Sequence, residues 1–246
     1  MAEKKRYGFV IDVSRCIDCR ACLVACRVEN DVPLGYTRIW VKDLGVRGNY
    51  PELQRAFVPH NCMHCQHPPC VEVCPSGATW KDAQHGLVLV DTAACIGCRQ
   101  CVQACPYDAR FTNPETHVVD KCNGCIQRVE IGLQPACVAT CIGGSRLFGD
   151  FNDPGSEVSV ALRGARTLQR LDYAQGEIDT QPNIFYINGD VHDESIAPHA
   201  PQYTAAESFW RKFAIPAVLA GIGAAAIGQA GAFTKQLLDG EKEFEE

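Results

Sequence analysis

The chain has 246 residues and a formal net charge of −6, which gives no electrostatic basis for binding nucleic acid. Sixteen residues are cysteine, far above ordinary usage, so the candidate chemistries narrow to a disulfide framework, zinc sites or iron–sulfur clusters. The N-terminus, MAEKKRYGFVID, is charged and then strand-like, with no apolar run or cleavage site; it carries no secretory signal of its own, which weighs against disulfides.

In chain order, the alternating run YGFVID (7–12) predicts a strand that leads into Cys16, Cys19, Cys22 and Cys26, spaced x2, x2, x3. Residues 34–59 hold an expected hairpin strand over Arg38–Asp43 and a Gly/Pro-rich loop. The run AFVPHN (56–61) precedes Cys62, Cys65, Cys70 and Cys74, spaced x2, x4, x3. GLVLVD (86–91) precedes Cys95, Cys98, Cys101 and Cys105, again x2, x2, x3. THVVDK (116–121) precedes Cys122, Cys125, Cys137 and Cys141, spaced x2, x11, x3, with a helical turn expected in the long gap before Pro135. PSGATW, PYDARF and IGGSRLF follow the last three groups, each closing on an aromatic. The repeated unit is therefore strand, cysteine loop, short helix, strand, and it occurs four times.

Structural zinc is usually held by two separated C-x2-4-C knuckles, whereas C-x2-C-x2-C-x3-C-P is the spacing of bacterial [4Fe–4S] ferredoxins. A cubane offers four iron corners, each needing one soft thiolate. A loop with x2 spacing can wrap three corners and turn its N–H groups toward the sulfurs; Gly97 and Gly124 sit inside such loops. The fourth cysteine lies beyond a short helix and serves the other cluster of a pair. Pro75 and Pro106, directly after such cysteines, stop the helix there. With so little apolar core in each half, cluster binding must supply much of the folding free energy.

Beyond the cysteines, a helix is expected over Glu157–Arg170, a strand at NIFYIN (183–188) and a linker at 190–208. Phe213–Phe233 contains 21 residues without a charge, about 30 Å as a helix and enough to span a bilayer core. Trp210, Arg211, Lys212 and Lys235 suit the interfaces, and Gly221, Gly223, Gly228 and Gly231 would admit a neighbouring helix. The other reading of this segment is a helix packed on the soluble fold.

The four motifs, C16IDCRACLVACRVEN30, C62MHCQHPPCVEVCP75, C95IGCRQCVQACPYDAR110 and C122NGCIQRVEIGLQPACVATC141, resemble those of a known family over roughly residues 5–190. It is the four-cluster iron–sulfur subunit of membrane-bound molybdenum or tungsten oxidoreductases, such as polysulfide, dimethyl sulfoxide and tetrathionate reductases and formate dehydrogenase. The resemblance implies an α+β fold of two ferredoxin-like modules carrying four [4Fe–4S] clusters, with motif one paired to motif four and motif two to motif three. One cluster would be held by Cys16, Cys19, Cys22 and Cys141, and a second by Cys122, Cys125, Cys137 and Cys26. A third would use Cys62, Cys65, Cys70 and Cys105, and the fourth Cys95, Cys98, Cys101 and Cys74. Cys98 stands where some relatives carry tryptophan and a [3Fe–4S] centre, so [4Fe–4S] is expected at all four sites. Cys141 is followed by Ile-Gly-Gly where proline is common, a departure that touches the turn and not the ligand.

The same resemblance implies an electron wire in a non-catalytic subunit. The Cys16 cluster would face a large molybdopterin (Mo or W) catalytic subunit, and the Cys95 cluster a membrane-integral quinone- or haem-binding partner. Membrane lipid would meet the C-terminal helix, and the place is the prokaryotic inner membrane, on a side that the flanking charges leave open. The expected divisions are 1–149 for the double ferredoxin-like region and 150–209 for an extension and linker. They continue with 210–235 for a transmembrane helix and 236–246 for an acidic tail. The alternatives are a freestanding soluble polyferredoxin and the equivalent subunit of a hydrogenase complex. His60, His64 and His67 crowd the second motif and are read as neighbours of a cluster, not ligands; Arg99, Arg110, Lys121 and Arg128 are candidate charges near clusters or plain surface charges. No dinucleotide fingerprint, phosphate loop or hydrolytic triad is present, so catalysis belongs to a partner.

Overall fold

Each run that leads into a cysteine group forms a strand, and each group closes on a short helix. The computed structural model describes residues 4–175, 178–191, 217–218, 220–221 and 223–230, and divides into two units, Met1–Pro201 and Gln202–Glu246. In the first unit β1 (Tyr7–Asp12) leads through a 3-10 turn into α1 (Ala21–Glu29), followed by the hairpin β2 (Ile39–Arg47) and β3 (Gln54–Asn61). Then come α2 (Pro69–Glu72), β4 (Thr79–Lys81), β5 (Val88–Val90), α3 (Gln100–Gln103), β6 (Phe111–Thr112) and β7 (Val119–Asp120). The fourth motif contains α4 (Ile126–Val129) and α5 (Ala136–Ala139) and runs into β8 (Arg146–Asp150). The extension adds α6 (Glu157–Gly164), β9 (Leu168–Gln169), β10 (Ala174–Gln175), β11 (Ile178–Asp179) and β12 (Ile184–Ile187).

The sheets are local hairpins with one exception. β2 pairs with β3, β4 with β5, and β6 with β7, all antiparallel. The hairpin strand expected over Arg38–Asp43 runs on to Arg47 past an irregularity between Asp43 and Val46, where the Asp43 carboxylate accepts the Gly45 N–H at 2.9 Å. The exception is a four-stranded sheet in the order β8-β1-β12-β9. Its strand β1 and the extension strand β12 run parallel, with Phe9 opposite Ile184, and β8 lies antiparallel on the other side, with Phe9 opposite Phe148. Both phenylalanines are buried, with ring centroids 4.9 Å apart. Cross-strand aromatic pairs of this kind add roughly 0.2–1 kcal/mol to the gain from burial.

Asn183 fixes the extension against the second cysteine loop. Its amide donates to the His64 carbonyl at 3.1 Å, its Oδ1 accepts from Arg6 Nη2 at 2.9 Å and its backbone N–H reaches the Met63 carbonyl at 2.8 Å. Gly8 lies so close that a Cβ there would stand 2.3 Å from the Asn183 carbonyl oxygen. The core that results is shared: Phe9, Ile11, Ile39, Val58, Leu87 and Tyr186 pack with seven cysteines of the four motifs.

The helix expected over Glu157–Arg170 is shorter. The Ser156 hydroxyl caps it by accepting the Ser159 N–H at 3.3 Å, and it ends at Gly164. Residues Leu168 and Gln169 then pair with Tyr186 and Ile187, so edge pairing in the sheet overrides the helical pattern. The expected strand at 183–188 is β12. Apart from Asp190 and Val191, the expected linker 190–208 lies outside the described residues, as does the tail 236–246. The expected membrane-spanning segment 210–235 is described only at 217–218, 220–221 and 223–230, which are helical and exposed. No helix among the described residues is long and apolar enough to cross a membrane.

Candidate metal centres

The four cysteine loops share one backbone device. The residue two places after the first cysteine is left-handed in each: Asp18 at φ +51°, His64 at +46°, Gly97 at +67° and Gly124 at +70°. Such a residue turns successive N–H groups inward to form an anion-binding concavity. In motif four the Gly124 N–H reaches Cys122 Sγ at 3.4 Å, and a Cβ at Gly124 would lie 2.8 Å from the end of the Leu87 side chain, so conformation and space both favour glycine. The two non-glycine positions are held by neighbours. Asp18 pairs with Arg20 at 3.1 Å; the His64 imidazole accepts the Val88 N–H at 3.0 Å and its carbonyl accepts Lys81 Nζ at 2.9 Å.

All sixteen cysteines are free thiols, and the chain brings them together across motifs. Cys16, Cys19, Cys22 and Cys141 line one small cavity, with Cys141 close enough to bear on Cys16 and Cys22. Cys26 faces Cys137 and Cys125, and Cys122 faces Cys26 and Cys137. Cys65 faces Cys62, Cys70 and Cys105, and Cys105 in turn faces Cys70 and Cys62. Cys101 faces Cys74 and Cys98, and Cys95 opens the same loop. Three further pairs lie within electrostatic reach of each other across neighbouring sets: Cys22 with Cys137, Cys122 with Cys62, and Cys70 with Cys101. The four sets therefore neighbour one another in the order first, second, third, fourth. Among the described residues no three Cys, His, Asp or Glu side chains converge on one point as ligands of a single ion do.

Exposure follows the same order. In the two inner sets, Cys26, Cys122, Cys125, Cys137 and Cys62, Cys65, Cys70, Cys105, every cysteine is buried. In each outer set one cysteine is exposed (Cys19; Cys98), one is buried (Cys22; Cys101) and two are half-buried. The outer sets reach the surface and the inner ones are sealed.

Burial pushes the Cys22 thiol up to about 11 and those of Cys26 and Cys105 up to about 12, with neighbouring cysteines adding to the rise in each case. Cys65 and Cys122 are raised well above the ordinary thiol range for the same reason. Cys74 moves the other way: burial raises it, but N–H groups of Thr79, Ser76 and Ala78 and the Ser76 hydroxyl bring it below the ordinary thiol range. Without metal, the raised thiols hold their protons at neutral pH, and a metal that binds them must release those protons.

Three cations are buried in this thiol-rich core: Arg146 (2% exposed), Lys121 (3%) and Arg110 (5%). None has a carboxylate partner among the described residues. Arg110 Nη2 lies 2.9 Å from Cys70 Sγ and Nη1 donates to Thr79 Oγ1 at 3.2 Å. Lys121 Nζ donates to the carbonyls of Val88 and Cys122. Arg146 donates to the Asn61 side chain but leaves Nε and Nη1 without an oxygen or nitrogen partner. An uncompensated buried cation costs several kcal/mol. Soft thiol sets beside unpaired cations fit an anionic iron–sulfur cluster in donor type and in charge.

Arg110 and Lys121 stand where the sequence placed charges near clusters, whereas Arg128 is tied to Glu29 at 2.9 Å outside the core. Arg146 was not singled out from the sequence. The signal that finds it is internal: Arg110 and Arg146 are each the fifth residue after the last cysteine of their motif. His60 stacks on Trp40 at 5.8 Å, and His67 Nδ1 contacts the Asp179 carbonyl at 3.1 Å.

Comparison with known proteins places these features in context. The model of the 4Fe-4S dicluster domain matches residues 53–151. A tetrathionate reductase subunit of Salmonella typhimurium is 44% identical over 190 residues, covering 77% of this chain and 75% of the relative. Protein NrfC of Escherichia coli strain K12 is 42% identical, covering 74% of this chain and 80% of its own length. The thiosulfate reductase electron transfer subunit PhsB of Salmonella typhi is 40% identical, covering 78% and 97%.

Proposed function

The chain belongs to the family of iron–sulfur electron-transfer subunits of reductase complexes, and from that premise we propose that it is a non-catalytic wire of four [4Fe–4S] clusters. The wire would run between a large molybdopterin catalytic subunit and a membrane-integral quinone- or haem-binding subunit. Bound clusters would supply one-electron carriers at fixed positions. Cys16, Cys19, Cys22 and Cys141 would hold the first, and Cys26, Cys122, Cys125 and Cys137 the second. Cys62, Cys65, Cys70 and Cys105 would hold the third, and Cys74, Cys95, Cys98 and Cys101 the fourth.

The observation that carries this reading is the exchange of the fourth cysteine. Cys141 faces Cys16 and Cys22, Cys26 faces Cys137 and Cys125, Cys105 faces Cys62 and Cys70, and Cys74 faces Cys101, which supports a reading in which each motif would complete a neighbour's set. The half-exposed outer sets suit hand-over to partners, and the sealed inner sets keep water from the carriers between them. The 21 uncharged residues of Phe213–Phe233 support attachment to the prokaryotic inner membrane through the C-terminal segment and its lipid.

Anaerobic purification tests the proposal. The full chain should carry about sixteen iron atoms, four per cluster, remain with the membranes after a salt wash, and bring a large subunit with it. Iron near eight, or mostly zinc, would defeat the four-cluster reading. A full iron complement in a chain that stays in the supernatant without a partner would instead make it a freestanding polyferredoxin.

A further inference from the structure

We propose that Arg146, Lys121 and Arg110 form a ladder of buried cations, one in each gap between neighbouring clusters, that sets the cluster potentials along the wire. The inference rests on the four-cluster reading above and goes beyond it by giving these residues a task.

The placement carries the argument. Arg146 borders the cavity of the first thiol set, faces Cys22 there, and also faces Cys137 and Cys122 of the second. Lys121 faces Cys122 of the second set and Cys62 and Cys70 of the third. Arg110 touches Cys70 of the third set and faces Cys101 of the fourth. These gaps are the ones across which Cys22 and Cys137, Cys122 and Cys62, and Cys70 and Cys101 lie within electrostatic reach. Each gap therefore holds one buried cation.

The internal repeat makes the pattern more than a coincidence of burial. Arg110 and Arg146 occupy the same position of two motifs, and each stands at the boundary between the two sets of its own module pair. At the central gap the residue before the first cysteine acts from both sides. Lys121, before Cys122, faces Cys62; Asn61, before Cys62, sends its amide toward Cys122 Sγ at 3.8 Å. Asn61 also accepts the hydrogen bond from Arg146, which ties the outer rung to the central one.

Reducing a cluster adds one negative charge, and a cation beside its ligands lowers the energy of that charge. A cation in the gap acts on both neighbours. It lifts both potentials together and offsets the repulsion between electrons on adjacent clusters, which keeps the path level. Each hop moves one electron from a reduced cluster to its oxidised neighbour; no bond or proton changes at the arginines, whose guanidinium groups stay charged throughout.

The test is EPR-monitored redox titration of the full chain in its complex, with iron content measured on the same samples. Arg146→Gln should lower the potentials of two of the four clusters and Arg110→Gln those of the other two. The expected size is at least tenfold in the reduced-to-oxidised ratio at fixed potential, about 59 mV for a one-electron couple. Lys121→Gln should shift one cluster from each of these pairs. Arg146→Lys and Arg110→Lys, which keep the charge, should stay within about twofold of wild type. Unchanged potentials in iron-replete Gln variants would overturn the ladder, as would equal shifts of all four clusters or Lys variants that shift as far as Gln. If Arg146→Gln loses iron, the Arg110 pair of variants decides by the same criteria. A wild-type iron content near eight would sink the cluster reading itself, separately from any effect of the cations.

Discussion

Cys105→Ser should damage the cluster of Cys62, Cys65 and Cys70 and spare that of Cys95, Cys98 and Cys101, although Cys105 belongs to the motif of the latter. Cys105 is 7% exposed just beyond α3 and faces Cys70 and Cys62, with Cys65 facing it in return. Its thiol, pushed up to about 12 by burial and by those cysteines, ionises only when a metal takes the place of its proton. A serine hydroxyl ionises far less readily and is a hard donor, so one iron corner loses its ligand. Serine is smaller than cysteine and leaves at worst one unpaired buried hydroxyl, roughly 1–3 kcal/mol, which the fold should survive. Iron should fall from about sixteen per chain to about fifteen if the unligated corner alone leaves, or to about twelve if the whole cluster is lost. Iron analysis gives the count, and EPR of oxidised and reduced samples identifies the altered cluster. Loss of the Cys95 signal with the Cys62 signal intact would refute the exchange of fourth cysteines between motifs two and three.

Two further outcomes follow from buried polar groups in the same core. Burial, with Lys42 and Arg146 nearby, lowers the His60 imidazole to about 3, so between about pH 6.5 and 3 the unfolded chain binds a proton that the folded one refuses. Stability should fall as pH drops through that window, and His60→Phe, which retains an aromatic ring against Trp40, should recover about 2 kcal/mol of the loss between pH 7 and pH 5. Anaerobic thermal unfolding of both proteins across this range checks it; parallel pH profiles would count against a neutral buried His60. Tyr107 donates to the Leu171 carbonyl at 2.8 Å and shares a hydrogen bond with Thr180 Oγ1 at 2.6 Å, joining the third motif to the extension. Tyr107→Phe should lower stability in urea by roughly 1–3 kcal/mol without loss of iron, and an unchanged midpoint would show that this link is dispensable.

The motifs are legible because each is local: the strand ahead of the loop, the left-handed turn at Gly97 and Gly124 and the short helix are all written in consecutive residues. The left-handed Asp18 and His64 are less legible, because these residue types tolerate that conformation without demanding it, and the contacts of His64 with Val88 and Lys81 come from distant parts of the chain. Helix α6 stops short of its expected end because Leu168 and Gln169 gain partners in Tyr186 and Ile187, and a helical pattern contains no record of a distant sheet edge.

By itself the sequence determined the donor type on offer, the count of thiols and the four loops that present them, since x2 spacing is a property of a few adjacent residues. Tertiary structure alone decided where the extension goes, with β12 laid parallel to β1 and Asn183 locked onto the second loop. It also decided which charges matter. Arg110, Lys121 and Arg146 lie far along the chain from cysteines they face across each gap, and only folding brings Arg146 to Cys22 and Arg110 to Cys70. The physical reason is that three thiols of each proposed set come from one motif and are spaced by consecutive residues, whereas the fourth thiol and the field acting on a buried charge depend on everything the fold places around them.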